Sequence, residues 1–308
     1  MITMKLIILI QCFLLWVSVG TAKEYPEKFW RIEKLSDNTE EFQIPVATYQ
    51  KTGAPSVTLV GVIHLATPEY YQEISVILDN FDFVLYEMIL DETGFNQLHE
   101  KHLKNIQSLR TIAPQKPLSL IPELLYLGYA SQALFDEASS LGLAMQAFML
   151  DYNRAHFIHA DMMIWELGEA FTRMPVAERV KEIIYELIPD IFSPTERLYT
   201  EEAELLCTIL DDQKSLQKLF ITELNEQDTT LLFENKVIIK DRNELCLKML
   251  DGLIDYLFID NIGIIYGCAH MKGMHEGLLD KGYQLKNIEW IPCIQPDKIN
   301  DTKLQTAE

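Results

Sequence analysis

The stretch Val57-Thr58-Leu59-Val60-Gly61-Val62-Ile63-His64 has a counterpart late in the chain, Ile262-Gly263-Ile264-Ile265-Tyr266-Gly267-Cys268-Ala269-His270. Each is rich in β-branched and aromatic residues, ends in Gly-x-x-His, and reads as a buried strand. A helix-like stretch follows each histidine, and then another strand-like run, Phe83–Tyr86 in the first unit and Asn287–Pro292 in the second. An imidazole delivered at the carboxyl end of a buried strand, just before a helix, lies where open α/β folds place ligand chemistry. One Gly-x-x-His is a weak pattern, because a strand-end histidine is more often structural. Two copies in matching strand–turn–helix–strand units point to a shared metal or catalytic centre. Spacing alone does not show that the two imidazoles converge.

Outward from the first copy, Phe42–Thr48 alternates apolar and polar residues as an opening strand and turns at Gly53-Ala54-Pro55. Thr67-Pro68-Glu69 is a helix start, with Thr as N-cap, Pro at the first position and an acid in the first turn. The helix runs to about Asp79, with Tyr70, Ile74, Ile77 and Leu78 on one side, and Phe81–Ile89 is the next strand. Strand, helix, strand in about thirty residues is a βαβ unit with parallel strands. Residues 95–240 read as a mainly helical insertion over one end of the sheet. Glu123–Ser140 and Ala155–Phe171 are amphipathic stretches there, Ser193-Pro194-Thr195-Glu196 is a capping box, and Leu143–Leu150 is a short apolar run that suits a strand. Asp241-Arg242-Asn243-Glu244 opens a helix through Leu253, and the second unit closes the fold. The expected organisation is a signal peptide over 1–22, one α/β domain over 23–296 with a central mixed sheet, and a polar tail over 297–308.

The first segment has the marks of a secretory signal: Lys5, the apolar runs Leu6–Ile10 and Phe13–Val17, and the small residues Ser18-Val19-Gly20-Thr21-Ala22. Its apolar part is short for a spanning helix, which needs about 20 residues. A secreted or periplasmic protein without stable membrane insertion is therefore expected, with an uncleaved N-terminal anchor as the alternative. The chain has 308 residues, 48% of them hydrophobic, which is ample for a large core. Its net charge is −20, and it becomes −21 when Lys5 leaves with the signal. So acidic a surface disfavours nucleic acid and anionic membranes as partners. Cys207, Cys246, Cys268 and Cys293 remain after cleavage, and four cysteines allow three pairings or none.

Glu87 ends the strand Asp82-Phe83-Val84-Leu85-Tyr86, expected beside the strand that bears His64. It follows His64 by 23 positions, as Cys293 follows His270, so only the first unit ends in a carboxylate. His64, Glu87 and His270 are a sufficient ligand set for a catalytic divalent metal with an open position for water. Such a metal lowers the pKa of that water and polarises a carbonyl. Glu87 could be ligand, base or both. His270 and His275 lie about 140° apart on a helix, so they make no zinc pair, and His275 is expected at the surface. His99 with His102, and His156 with His159, stand at helical spacing. Asp151 and Asp161 flank the second pair, which makes His159, Asp161 and Asp151 candidate supports for the site. Arg242 could clamp a substrate carboxylate through two parallel hydrogen bonds, its plainer role being a salt bridge. No Gly-x-Ser-x-Gly elbow, phosphate loop or dinucleotide fingerprint is present, so serine-hydrolase and nucleotide-binding readings have no support.

The ordered set Val60-Gly61-Val62-Ile63-His64, Asp82–Glu87, Asp241-Arg242-Asn243 and Tyr266-Gly267-Cys268-Ala269-His270-Met271-Lys272-Gly273-Met274 resembles the TraB-like family. That family includes bacterial pheromone-shutdown proteins and the Tiki metalloproteases, and the resemblance spans about Val57 to Ile294. It is nearest to an uncharacterised bacterial group, through Tyr70-Tyr71 and His159-Ala160-Asp161-Met162. It implies an α/β fold of the Tiki and erythromycin-esterase-like kind. It further implies a divalent metal, manganese or cobalt with zinc possible, at His64, Glu87 and His270, and hydrolysis of a peptide or protein substrate. Here Met88-Ile89-Leu90 intervenes before Asp91, where family members often place an acid soon after the strand glutamate. The alternative class is a non-catalytic protein that sequesters a peptide or small ligand, with haem the weaker case because no haem attachment motif is present.

Overall fold

The computed structural model describes residues 29–35, 39–90, 141–175, 213–226, 236–256 and 259–296. Along the chain the strands are β1 (Arg31–Lys34), β2 (Glu40–Gln50), β3 (Ser56–Val62), β4 (Leu65–Ala66), β5 (Phe83–Tyr86), β6 (Ala144–Met145), β7 (Phe157–His159), β8 (Asn261–Gly267) and β9 (Gln284–Ile294). The helices are α1 (Pro68–Leu78), α2 (Gln146–Met149), α3 (Ile164–Arg173), α4 (Gln213–Glu226), α5 (Asp241–Tyr256) and α6 (Met271–Asp280). A π-helical turn over Lys236–Lys240 leads into α5, and a 3-10 turn over Cys268–His270 joins β8 to α6.

Seven strands form one mixed sheet whose main path is β1-β2-β3-β8-β5-β7, with β9 also on β2. Strands β3, β8, β5 and β7 are mutually parallel. The long β2 is antiparallel to β3 on one edge and to β9 on the other, so β9 runs the same way as the parallel set. Val57, Leu59, Val60 and Val62 of β3 and Ile262, Ile264, Ile265 and Tyr266 of β8 are all buried. Continuous burial of this kind marks central parallel strands covered on both faces. The antiparallel β4–β6 pair forms a separate two-stranded sheet beside the end of β3.

Helix α1 starts as its sequence predicts: Thr67 caps it by accepting from the Tyr70 amide at 3.4 Å, and Pro68 follows. Tyr70, Tyr71, Ile74 and Leu78 are its buried face. The same face holds the backbone before His64, because the Tyr70 hydroxyl donates to the Gly61 carbonyl at 2.9 Å and the Tyr71 hydroxyl to that of Ile63 at 2.8 Å. The Thr67 amide donates to the Cys293 carbonyl, which ties the end of β9 to the start of α1.

Four expectations change. The strand ending at Glu87 lies beside β8, because β8 inserts between β3 and β5. The stretch Ala155–Phe171 is not one helix: Phe157–His159 is β7, paired with Val84–Tyr86, and α3 begins only at Ile164. Three residues are too few to display a period, and burial against β5 decides the matter. Residues 95–240 therefore contribute a strand to the central sheet. The run Leu143–Leu150 divides into β6 and the single turn α2. The segments 1–22, Glu123–Ser140, Ser193–Glu196 and 297–308, with His99, His102 and Cys207, lie outside the described residues. Among the described residues no helix is long and apolar enough to cross a membrane.

Position in the sheet sets the cost of a deletion. Ile264→Ala, at the fully buried centre of β8, is expected to lose about 2–5 kcal/mol in urea unfolding. Lys286→Ala, exposed on β9, should stay within about 0.5 kcal/mol of wild type.

Candidate functional site

The two Gly-x-x-His copies lie on neighbouring strands but are out of step. In the β3–β8 ladder Gly61 pairs with Tyr266, and Val62 with Gly267. A one-residue offset exchanges the faces to which side chains point. The chain also leaves the two strands differently. After Gly267 it turns at once through Cys268–His270 into α6, whereas after Val62 the strand ends, the chain bends at His64 and β4 follows. His270 is consequently buried and His64 exposed.

Around His270 the ends of β5, β7 and β8 and the start of α5 assemble a polar cluster. Arg242 lies at its centre, 5% exposed. Its Nε and Nη2 donate to the two oxygens of Asp161 at 2.7 and 2.6 Å, and Nη2 also reaches Glu87 Oε1 at 2.7 Å. Nη1 donates to the Ile238 carbonyl in the π-helical turn. Burial alone would disfavour the guanidinium charge, but Asp161 first and Glu87 second more than offset it and hold Arg242 protonated. For Glu87, burial works against ionisation. His270 and Arg242 beside it, with the Gly267 amide donating to Oε2, outweigh that and hold its carboxyl well below the usual range. A Cβ on Gly267 would stand only 3.3 Å from Oε2, so the glycine lets the carboxylate reach this amide.

Asn243 fixes the state of His270. Its Nδ2 donates to the His270 carbonyl at 3.2 Å, so its Oδ1 faces His270 Nδ1 at 2.7 Å, and Nδ1 must carry the hydrogen. Gly273 makes room for this, because a Cβ there would lie 2.4 Å from Asn243 Nδ2. His270 Nε2 lies 3.3 Å from Glu87 Oε1. The Arg242 guanidinium already bridges them, Nη2 donating to Glu87 Oε1 at 2.7 Å and Nη1 facing His270 Nε2 at 3.5 Å. Two carboxylates, Glu87 and Asp161, face the one guanidinium of Arg242. Two ligands each about 2.1 Å from one ion, at angles between square and tetrahedral, stand about 3.0–3.4 Å apart, so the pair fits a shared divalent ion.

The other expected residues fall as follows. Asp161 is fully buried and supports Arg242, with Oδ1 also accepting from the Met162 amide. His159 is fully buried; its Nε2 bonds to the Met88 carbonyl at 2.5 Å and its ring meets Tyr86 edge-on. It therefore secures the backbone after Glu87 rather than facing a ligand. His156 Nε2 lies 3.3 Å from the Leu78 carbonyl, and the helical pairing of the two histidines fails because they bracket a strand. Asp151 is exposed and accepts from the Asn153 amide in a local turn, apart from the cluster. His64 contributes its carbonyl to the Gln146 amide, and none of the cluster's hydrogen bonds involves its side chain. Among the described residues no three His, Cys, Asp or Glu side chains are gathered as a metal site; of the expected ligands, Glu87 and His270 lie side by side. Arg242 has its donors engaged by protein acceptors, a role unlike the expected substrate clamp. His275, expected at the surface, is half-buried, with Nδ1 2.8 Å from the Tyr49 hydroxyl. Cys246, Cys268 and Cys293 are buried free thiols.

Asn243 is the member of the cluster that residue-by-residue reading passed over. Its signal was its place directly after Arg242 at a helix start. No family model matches the chain, and neither does a curated protein or a solved structure.

Arg242→Met leaves Asp161 and Glu87 buried without a counter-charge and is expected to cost about 3–5 kcal/mol in urea unfolding. Arg242→Lys should recover only a minor part, since an ammonium cannot span both carboxylates with a planar fork.

Proposed function

We propose that the chain is a secreted or periplasmic metal-dependent hydrolase of the TraB-like kind, with the sheet arrangement of Tiki and erythromycin-esterase-like proteins, acting on a peptide or protein. The observation that carries this reading is the confrontation of Glu87 Oε1 and His270 Nε2 at 3.3 Å, with the imidazole tautomer set by Asn243. Its location supports it too: the cluster stands at the carboxyl ends of parallel strands, where α/β folds bind their ligands.

Glu87 and His270 would hold the ion, with His64 completing the set from the exposed rim. A divalent ion of the manganese, cobalt or zinc class supplies Lewis-acid polarisation of a carbonyl and a lowered water pKa. The chain's own residues do the rest. Arg242 keeps Glu87 ionised, the Gly267 amide aims its second oxygen, and Asn243 holds the proton on His270 Nδ1 so that Nε2 stays a ligand. Asp161 and His159 act behind them, on Arg242 and on the backbone after Glu87.

Metal content by elemental mass spectrometry on residues 23–308, with cleavage of a randomised peptide pool, tests this. The wild-type chain reconstituted with manganese or cobalt should retain a stoichiometric ion and cleave peptides. His64→Ala and His270→Ala should lose the ion, and Asn243→Leu should weaken its binding about 10–100-fold. A wild-type chain that takes no ion, or histidine variants that keep it, would overturn the metal reading. Peptide retained without turnover would make the chain a sequestering protein.

A further inference from the structure

A cavity of about 450 Å³ lies at the end of the central sheet opposite the proposed metal cluster, where β2 turns into β3 and where β8 and β9 begin. Ser56 opens β3 and Asp260 precedes β8, so the length of these strands, about 20 Å, separates the cavity from Glu87 and His270. Apart from Ala54 and Gly282, every residue on its wall is polar. Sites for apolar molecules are lined mainly by hydrophobic and aromatic side chains, so this wall suits a strongly polar ligand.

Two lysines give the wall its charge. Lys51 stands in the turn after β2, with Nζ 5.7 Å from the centroid of the Tyr283 ring. Gly282, with a φ of 83°, carries the chain from α6 into β9, and Lys51 Cε lies 3.8 Å from where a Cβ would stand on it. Lys286 reaches the wall through a β-bulge: Thr48 pairs with Asn287 and Tyr49 with Leu285, which leaves Lys286 as the extra residue. A bulge re-aims a side chain, and bulges recur beside active sites. Among the described residues neither ammonium has a carboxylate partner. Asp260 is the one acid on the wall, so the cavity is positive in a chain of net charge −20.

The rest of the wall both donates and accepts hydrogen bonds. Gln50 and Gln284, opposed at the end of the β2–β9 ladder, bring amides. Ser56 donates its hydroxyl hydrogen to the Asp260 carbonyl at 3.3 Å, which leaves its oxygen as an acceptor. Ammonium groups bind the oxygens of a phosphate or carboxylate, whereas amides and a carboxylate side chain match hydroxyls, each of which donates and accepts. An inorganic anion alone would fill only a small part of the volume. We propose that this cavity binds a small polyhydroxylated anion, a phosphorylated or carboxylated sugar, with its anionic group at Lys51 and Lys286 and its hydroxyls on Gln50, Gln284 and Asp260. The site is independent of the hydrolase reading and stands or falls apart from it.

Saturation-transfer NMR titrations with ribose phosphate, glucuronate, ribose and inorganic phosphate test it on the wild-type chain and on Lys51→Gln and Lys286→Ala. Both positions are exposed, so the variants should melt near wild type. Ribose phosphate or glucuronate should bind more tightly than ribose or inorganic phosphate, and the one that binds identifies the anionic group. Each variant should weaken that binding about tenfold, and added salt should weaken it in the wild-type chain. A wild-type chain that binds neither sugar anion would overturn the proposal. So would variants that bind within about twofold of wild type, or inorganic phosphate bound as tightly as the sugar anions.

Discussion

One buried cation organises this end of the molecule. Arg242 joins Glu87 after β5, Asp161 after β7 and the Ile238 carbonyl before α5, so a single side chain ties together segments far apart in the chain. Removing three charges from water is costly, and the arrangement is stable because nearly every lone pair and hydrogen finds a partner. Asp161 receives the bidentate fork and the Met162 amide, and Glu87 receives Arg242 and the Gly267 amide. The orientation of Glu87 is therefore a consequence of core construction. A cation at a helix start opposes the helix dipole, and the two carboxylates compensate for that here.

From that anchor the site becomes asymmetric. His270 is held on every side, by Asn243 at Nδ1, by the Tyr266 ring against its edge and by the tight turn out of β8. His64 is positioned through its backbone, by the hydroxyls of Tyr70 and Tyr71 on the preceding carbonyls and by the Gln146 amide on its own. One imidazole is a fixed part of the interior, and the other meets solvent at the rim.

The helix–helix contact behind the site has the same economy. Gly273 and Gly277 lie one turn apart on α6, facing Asn243 and Leu247 of α5, and side chains there would meet both residues. Close approach of the helices is thus coupled to the proton position on His270 through Asn243. Packing and site chemistry share one set of residues.

Strands β2, β3, β5, β8 and β9, the start of α1 and the two histidine motifs were legible in the sequence, because burial on both faces writes long β-branched runs and an N-cap needs particular residue types at particular places. Glu87 was legible too, as the only acid at the end of its strand run. The strand Phe157–His159 was hidden, because three residues show no period and its identity comes from pairing with β5. The register between β3 and β8 was hidden for a related reason: two motifs alike in sequence were offset by the ladder, and no local signal encodes an offset. The partners of Arg242 and the role of Asn243 needed coordinates, since hydrogen bonds between residues 81 and 155 positions apart leave no spacing to read. The sequence by itself determined the long core strands, the start of α1 and which residue types could bear chemistry, because these follow from local sterics and burial patterns. Tertiary structure alone decided which of those residues meet, because insertion of β8 between β3 and β5 and burial of Arg242 are long-range events governed by the packing of the whole sheet.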